Sequence, residues 1–194
     1  MTEILFDKTG HIGMITIDHP PANAWNLATM KAFEKILDQV EVNREVRAII
    51  ITGAGEKFFS AGFDVSDTAD PAETSHMGRM LWKRVDRFPK PTIAVINGYA
   101  LGGGLELAMA CHFRLMINSP NVSVGLTELN LGIIPGWGGT QRLPRLVGRA
   151  KALDMILFSR RIDEQEALAS GLVNEIPPPG ELMNRALELA ETLA

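Results

Sequence analysis

Thr92-Ile93-Ala94-Val95-Ile96 runs into Asn97-Gly98-Tyr99-Ala100-Leu101-Gly102-Gly103-Gly104, and this in turn into Leu105-Glu106-Leu107-Ala108-Met109-Ala110. The first run is short, continuous and rich in β-branched residues, the pattern of a strand buried on both faces. The last is an apolar helix. The glycines between them let backbone approach a ligand closely and leave the first helical N–H groups unblocked. A helix start also favours developing negative charge, so the stretch has the layout of an oxyanion hole. A glycine-rich turn that serves only close packing has the same composition. The spacing matches neither the dinucleotide G-x-G-x-x-G pattern nor a phosphate loop ending in Gly-Lys-Ser/Thr.

Reading outward, Arg47 to Gly53 repeats the buried-strand form upstream, and Phe113 to Ile117 and Val122 to Gly125 follow downstream. Ile4-Leu5-Phe6 and Ile12 to Ile17 predict an opening hairpin turning near Lys8-Thr9-Gly10. Asn26 is the N-cap of a helix with Leu27, Met30, Phe33, Leu37 and Val40 on one stripe. A loop from Phe59 to Ser66 and a helix from about Ala72 to Arg87 separate the two central strands. Beyond Gly132 the strands nearly stop. Thr140–Val147, Arg149–Phe158, Glu164–Ser170 and Glu181–Leu193 read as helices, the last set off by Pro177-Pro178-Pro179-Gly180. The expectation is an α/β protein forming a single domain over 1–194, with an α/β core over 1–135 and a helical region over 136–194.

Composition sets the bounds. The chain has 194 residues, 46% hydrophobic and 22% charged, which is the balance of a globular protein and not a disordered one. A net charge of -4 argues against a nucleic-acid partner. Cys111 is the single cysteine, which excludes an internal disulfide and a multi-cysteine zinc site. His11, His19, His76 and His112 are scattered without ligand spacing, so no metal is expected. No apolar run is long enough to cross a bilayer, and the N-terminus lacks the features of a signal peptide, so no membrane association and a cytoplasmic location are expected.

Two acids stand out. Glu106 lies in the first turn of an otherwise apolar helix, where a carboxylate is costly to bury unless something uses it. Glu128 lies in Gly125-Leu126-Thr127-Glu128-Leu129-Asn130-Leu131-Gly132, just before a second glycine-rich loop, Ile133-Ile134-Pro135-Gly136-Trp137-Gly138-Gly139-Thr140. Paired carboxylates beside glycine-rich helix starts suit general acid–base work. If they share one site, at least one pKa rises. The plainer roles are a helix-dipole partner for Glu106 and an exposed loop acid for Glu128. Phe58-Phe59-Ser60-Ala61-Gly62-Phe63-Asp64 adds a small-residue loop after a buried strand, able to expose a backbone N–H or to be an ordinary tight turn. Arg142, Arg145, Arg149, Lys151, Arg160 and Arg161 form a mildly basic stretch, which is either a solvated face or a phosphate contact.

Together, Phe59 to Asp64, Asn97 to Ala110 and Gly125 to Leu143 resemble the crotonase, or enoyl-CoA hydratase/isomerase, superfamily. The resemblance implies a right-handed spiral of ββα units followed by helices that build trimers or dimers of trimers. It implies an acyl-CoA thioester substrate, with coenzyme A part of that substrate and no separate cofactor. Carried onto this sequence, it makes the N–H groups of Phe63 and Gly103 the oxyanion hole, and Glu106 and Glu128 the catalytic pair. It lays the acyl-CoA along Ala61, Phe63, Asp64, Val65, Ser66 and Gly103. The implied activity is hydration of trans-2-enoyl-CoA. Enoyl-CoA isomerisation, other chemistry of the superfamily and a non-catalytic acyl-CoA-binding or assembly subunit are the alternatives. Thr127 stands where a proline is frequent and Trp137 where a small residue is common, which reshapes the acyl pocket. The chain stops where members of the superfamily continue through further helices. A truncated, helix-short form of the fold predicts an exposed apolar patch, or a gap in the cleft, near the helix from Glu181 to Leu193.

Overall fold

In the computed structural model, which describes residues 4–66 and 70–194, the β-branched runs become the middle of a sheet. β1 (Ile4–Thr9) and β2 (Ile12–Ile17) form the expected antiparallel hairpin. β3 (Ala48–Gly53) and β5 (Thr92–Ile96) are buried along their whole length. With β7 (Phe113–Met116) they make a five-stranded sheet in the order β1-β2-β3-β5-β7, parallel from β2 onward.

A second sheet holds the shortest strands: β4 (Phe58–Ser60), β6 (Tyr99–Leu101), β8 (Val124–Gly125) and β9 (Arg161–Ile162). Each turn of the chain lays one strand in each sheet, β3 then β4, β5 then β6, β7 then β8. A helix follows each of the first two pairs: α2 (Pro71–Asp86) and α3 (Gly103–Ala110). This is the ββα spiral. The sequence predicts a loop over Phe59 to Ser66 and no strand at Tyr99–Leu101 or Arg161–Ile162. Strands of two or three residues are too short to show a period, and only pairing with neighbours reveals them.

The helices follow from local signals. Asn26 caps α1 (Leu27–Val42), its Oδ1 accepting from the Thr29 N–H at 2.8 Å, and Met30, Phe33, Leu37 and Val40 are buried. Asp70 caps α2 through the Ala72 N–H at 2.9 Å, with Pro71 at the first helical position. α1, α2 and α3 pack side by side over one face of the five-stranded sheet. Trp25, Phe33 and Trp82 meet edge-to-face in the core between them.

α4 (Gly139–Val147), α5 (Arg149–Leu157), α6 (Glu164–Ala169) and α7 (Leu182–Leu193) complete the chain. α7 lies on the other face of the large sheet. Ala186 and Ala190 are fully buried there against a cluster that includes Ile50, Ile93, Val95 and Leu115. That covering helix is why the central strands are apolar on both faces. Arg114 ties the late segment down: its Nε donates to the Leu172 carbonyl at 2.8 Å, and its backbone N–H to Asn174 Oδ1 at 2.8 Å.

The apolar patch expected near α7 is not there. Small alanines seat the helix flush on the sheet, and its leucines are half-buried. Exposed apolar side chains lie instead on α5 and just after it (Leu153, Leu157, Phe158) and on the segment Leu131, Ile133 and Ile134.

Candidate active site

The glycine-rich start of α3 is held against the Phe59–Asp64 loop. Gly62 has φ of 91°, and a Cβ on it would sit 2.8 Å from both the Gly103 nitrogen and the Leu101 oxygen. Only glycine fits this crossing. The loop is pinned on its far side to Trp25, whose N–H donates to the Gly62 carbonyl at 2.7 Å and whose carbonyl accepts from the Asp64 N–H at 3.0 Å. In such a parallel bridge the intervening Phe63 turns its own N–H away from Trp25. Gly103 is the first residue of α3, so its N–H has no partner within the helix. Phe63 and Gly103 both line one cavity.

Glu106 is one turn into α3 and 1% exposed. Its Oε1 accepts from the N–H groups of Trp137 and Gly139 at 2.8 and 2.7 Å. The second glycine-rich loop is thus wrapped around a carboxylate. Burial raises the Glu106 pKa, and the Gly139 and Trp137 amides, with Arg142 farther off, pull against that rise.

Glu128 opens a 3-10 turn, Glu128–Leu131, where the sequence predicts no regular element. It is 9% exposed, so an exposed loop acid is excluded. Neither of its carboxylate oxygens accepts a hydrogen bond. Burial first, and the charge of Glu106 second, push its pKa up to about 7, while its own amide offsets a smaller part. Both glutamates line one cavity of about 890 Å³ together with Ala61, Phe63, Gly103 and Trp137. Two acids meet in that cavity, and one has hydrogen-bond donors while the other has none.

Known proteins carry the same frame. The enoyl-CoA hydratase/isomerase family matches residues 7–194. The chain belongs to that family. It is similar to the short-chain-enoyl-CoA hydratase of Clostridium acetobutylicum, with 42% identity over 100% of this chain and 76% of that protein. A probable enoyl-CoA hydratase of Bacillus subtilis is 46% identical over 94% of this chain and 72% of its own length. The crystal structure of an enoyl-CoA hydratase from Bacillus anthracis superposes with a TM-score of 0.93 at 42% identity, covering 98% of this chain and 76% of that one.

Within this enoyl-CoA hydratase/isomerase fold the other expected positions divide. Ala61, Phe63 and Gly103 line the cavity, whereas Asp64, Val65 and Ser66 lie just outside its lining. Asp64 folds back on Ser66, accepting from its N–H and hydroxyl at 2.9 and 2.6 Å. Pro71, Ser75 and Arg79 on α2 line the cavity and went unremarked in the sequence, since an amphipathic helix does not announce which neighbour it faces. The basic stretch is largely committed to the protein: Arg142 pairs with Asp86, Lys151 with Glu166, and Arg160 with Asp154 and Glu166. Cys111 is buried, and its thiol is pushed up to about 12, as suits a core residue. Among the described residues no group of three or more His, Cys, Asp or Glu is placed to hold a metal ion, and no helix is long and apolar enough to cross a membrane.

Proposed function

We propose that the chain hydrates 2-enoyl-CoA thioesters, adding water syn across a trans double bond to give the 3-hydroxyacyl-CoA. The observation that carries this reading is the unlike pair of carboxylates in one cavity. Glu106, with two amide donors on one oxygen, is the better place for the negative charge. Glu128, with no donor and a pKa near 7, is the better place for the proton. One water then sits between a base and an acid.

In this reaction the thioester oxygen lies between the N–H groups of Phe63 and Gly103. Glu106 takes a proton from water as its oxygen bonds to C3. The displaced π electrons move onto the thioester oxygen, and the enolate collapses as Glu128 delivers its proton to C2. A proton passed from Glu106 to Glu128 resets the pair. Each oxyanion donor is worth about 2.7–4 kcal/mol in such a site. No metal or redox cofactor is required. Ala61 and the Phe63–Ser66 backbone border the CoA path in this reading. A homo-oligomer and a cytoplasmic location complete the proposal.

Retention of a second, proton-holding carboxylate favours hydration over isomerisation, which needs only one base shuttling a proton. The test is crotonyl-CoA hydration, followed by loss of the conjugated thioester absorbance. Steady loss at catalytic protein concentration is the expected result. Binding of crotonyl-CoA without that loss leaves an acyl-CoA-binding subunit, and conversion of a 3-enoyl-CoA without hydration leaves an isomerase.

A further inference from the structure

The Trp137 side chain occupies a notch that two glycines on different helices leave open. A Cβ on Gly78 of α2 would lie 2.5 Å from Trp137 Cε2, and one on Gly103 of α3 would overlap the six-membered ring. The indole is 6% exposed, and that remainder faces the cavity. Its ring meets Phe63 edge-on at 6.3 Å between centroids and Trp82 at 5.3 Å. Trp82 is fully buried, and its Nε1 donates to the Gly103 carbonyl at 2.9 Å. The indole therefore stands between the cavity and the aromatic core, in the one place where α2 and α3 present no side chain. Its backbone N–H is one of the two that hold Glu106.

Resting on the hydratase reading, we propose that the Trp137 indole is the specificity-determining inner wall of the acyl site, restricting the enzyme to short acyl chains. An acyl chain held by a thioester at the Phe63 and Gly103 amides, with its double bond beside the glutamates, meets the indole beyond them. Without the ring, the cavity extends into the Gly78–Gly103 notch toward Trp82. The fit is rigid on three sides, because the ring is fixed by Phe63, by Trp82 and by the backbone of two helices. A single methylene gained or lost in a hydrophobic pocket changes discrimination by about 10–200-fold.

The experiment compares kcat/KM for trans-2-decenoyl-CoA and crotonyl-CoA as a ratio, which cancels any general loss of activity. In Trp137→Ala the ratio is expected to rise at least about tenfold over the original chain. An unchanged ratio overturns the proposal and places the acyl tail elsewhere, over Ile133 and Ile134 at the cavity mouth. Trp137→Phe, which keeps a ring in the notch, guards against a folding failure and is expected to raise the ratio less than Trp137→Ala. Gly78→Ala presses on the indole from the α2 side, with an overpacking cost in stability that the ratio cancels. It drives the ring toward the cavity and lowers the ratio, and the same substitution in the Trp137→Ala background has no effect on it. Equal effects in both backgrounds also overturn the proposal. Binding of the unreactive saturated esters butyryl-CoA and decanoyl-CoA, measured by calorimetry, separates this wall from the chemistry. If the chain hydrates nothing yet Trp137→Ala still shifts binding toward decanoyl-CoA, the hydratase reading fails and the wall stands. If neither ester binds, both fail.

Discussion

Two glycine-rich segments open helices in this chain, Gly102-Gly103-Gly104 before α3 and Gly136 to Gly139 before α4, and they do opposite things. The first lines the cavity with Gly102 and Gly103, the latter with no intrahelical partner for its N–H. The second turns its N–H groups onto the Glu106 carboxylate, at 2.8 and 2.7 Å. In the proposed reaction the first would receive the developing charge of the thioester oxygen, while the second donates to a carboxylate of the protein itself. Similar composition thus gives a cavity wall in one place and a carboxylate-binding turn in the other. The deciding factor is whether a protein carboxylate already faces the donors.

The sharpest way to break this contrast is to remove each acid. Glu106→Gln and Glu128→Gln are each expected to lower crotonyl-CoA turnover by about 10²–10⁴. The double variant is expected to fall by much less than the product, because the acids serve one water. Steady-state kinetics on the three proteins checks this. Near-normal turnover in either single variant removes that residue from the chemistry.

The two acids also divide by pH. Glu128 titrates near 7 in the folded protein against an ordinary value of 4.5. Between those values the folded state binds more protons than the unfolded state. Stability from this group is therefore highest at low pH and falls as pH rises through 7. The gap is worth about 3 kcal/mol. Glu128→Gln has no such charge to bury, so it is expected to unfold at higher denaturant than the original chain at pH 8 and to match it near pH 4.5. Urea titrations at the two pH values test this, and equal midpoints at pH 8 mean that Glu128 meets water or a donor in solution. The same titration predicts turnover that falls on the alkaline side as Glu128 loses its proton, with apparent pKa values that belong to the pair.

The contrast between the glycine turns was only half legible in sequence. The long elements were readable because burial on both faces leaves unbroken β-branched runs at 48–53 and 92–96, and Asn26 announces its helix. The second sheet was not readable, because Phe58–Ser60, Tyr99–Leu101 and Arg161–Ile162 are too short to carry a period. The residues alone made Glu106 costly to bury but left Glu128 open as a loop acid, since nothing local says that a 3-10 turn folds it inward. The matched apolar settings of the two glutamates beside glycine-rich helix starts suggested the pair, and the resemblance to known sequences gave it a role. That the second glycine turn serves Glu106 and not a ligand depends on contacts 31 and 33 residues apart, which no local pattern encodes.

Single alanines sharpen the contrast further. At Gly103 a Cβ meets the fixed indole of Trp137, so Gly103→Ala is expected to cost about 1–3 kcal/mol of stability by overpacking. At Gly139 a Cβ would lie 2.9 Å from Leu126 Cδ1, a side-chain end that can yield, and 3.0 Å from Glu106 Oε1. Gly139→Ala is therefore expected to cost under about 1 kcal/mol in stability while lowering turnover by displacing the carboxylate. Urea unfolding and crotonyl-CoA kinetics on both variants separate the two patterns. If Gly139→Ala proves the less stable variant, the second turn is the more tightly packed of the two.

The smallest effect concerns how each turn is clamped. The first is tied to the core by the Trp82 Nε1 donating to the Gly103 carbonyl. The second is tied by Arg142, whose Nη1 donates to the Trp137 carbonyl at 2.9 Å and Nη2 to the Trp82 carbonyl at 3.3 Å, while Nε pairs with Asp86 at 3.0 Å. Asp86 is half-exposed, so solvent screens most of that ion pair. Asp86→Asn leaves both carbonyl contacts available and is expected to cost about 0–1 kcal/mol, less at high salt. Arg142→Ala strips the carbonyls as well and is expected to cost more, with a loss that salt does not erase. Urea unfolding of both variants at low and high ionic strength measures the difference. A salt-independent loss in Asp86→Asn equal to that of Arg142→Ala shows that the carboxylate, and not the carbonyl contacts, holds the guanidinium over the turn that grips Glu106.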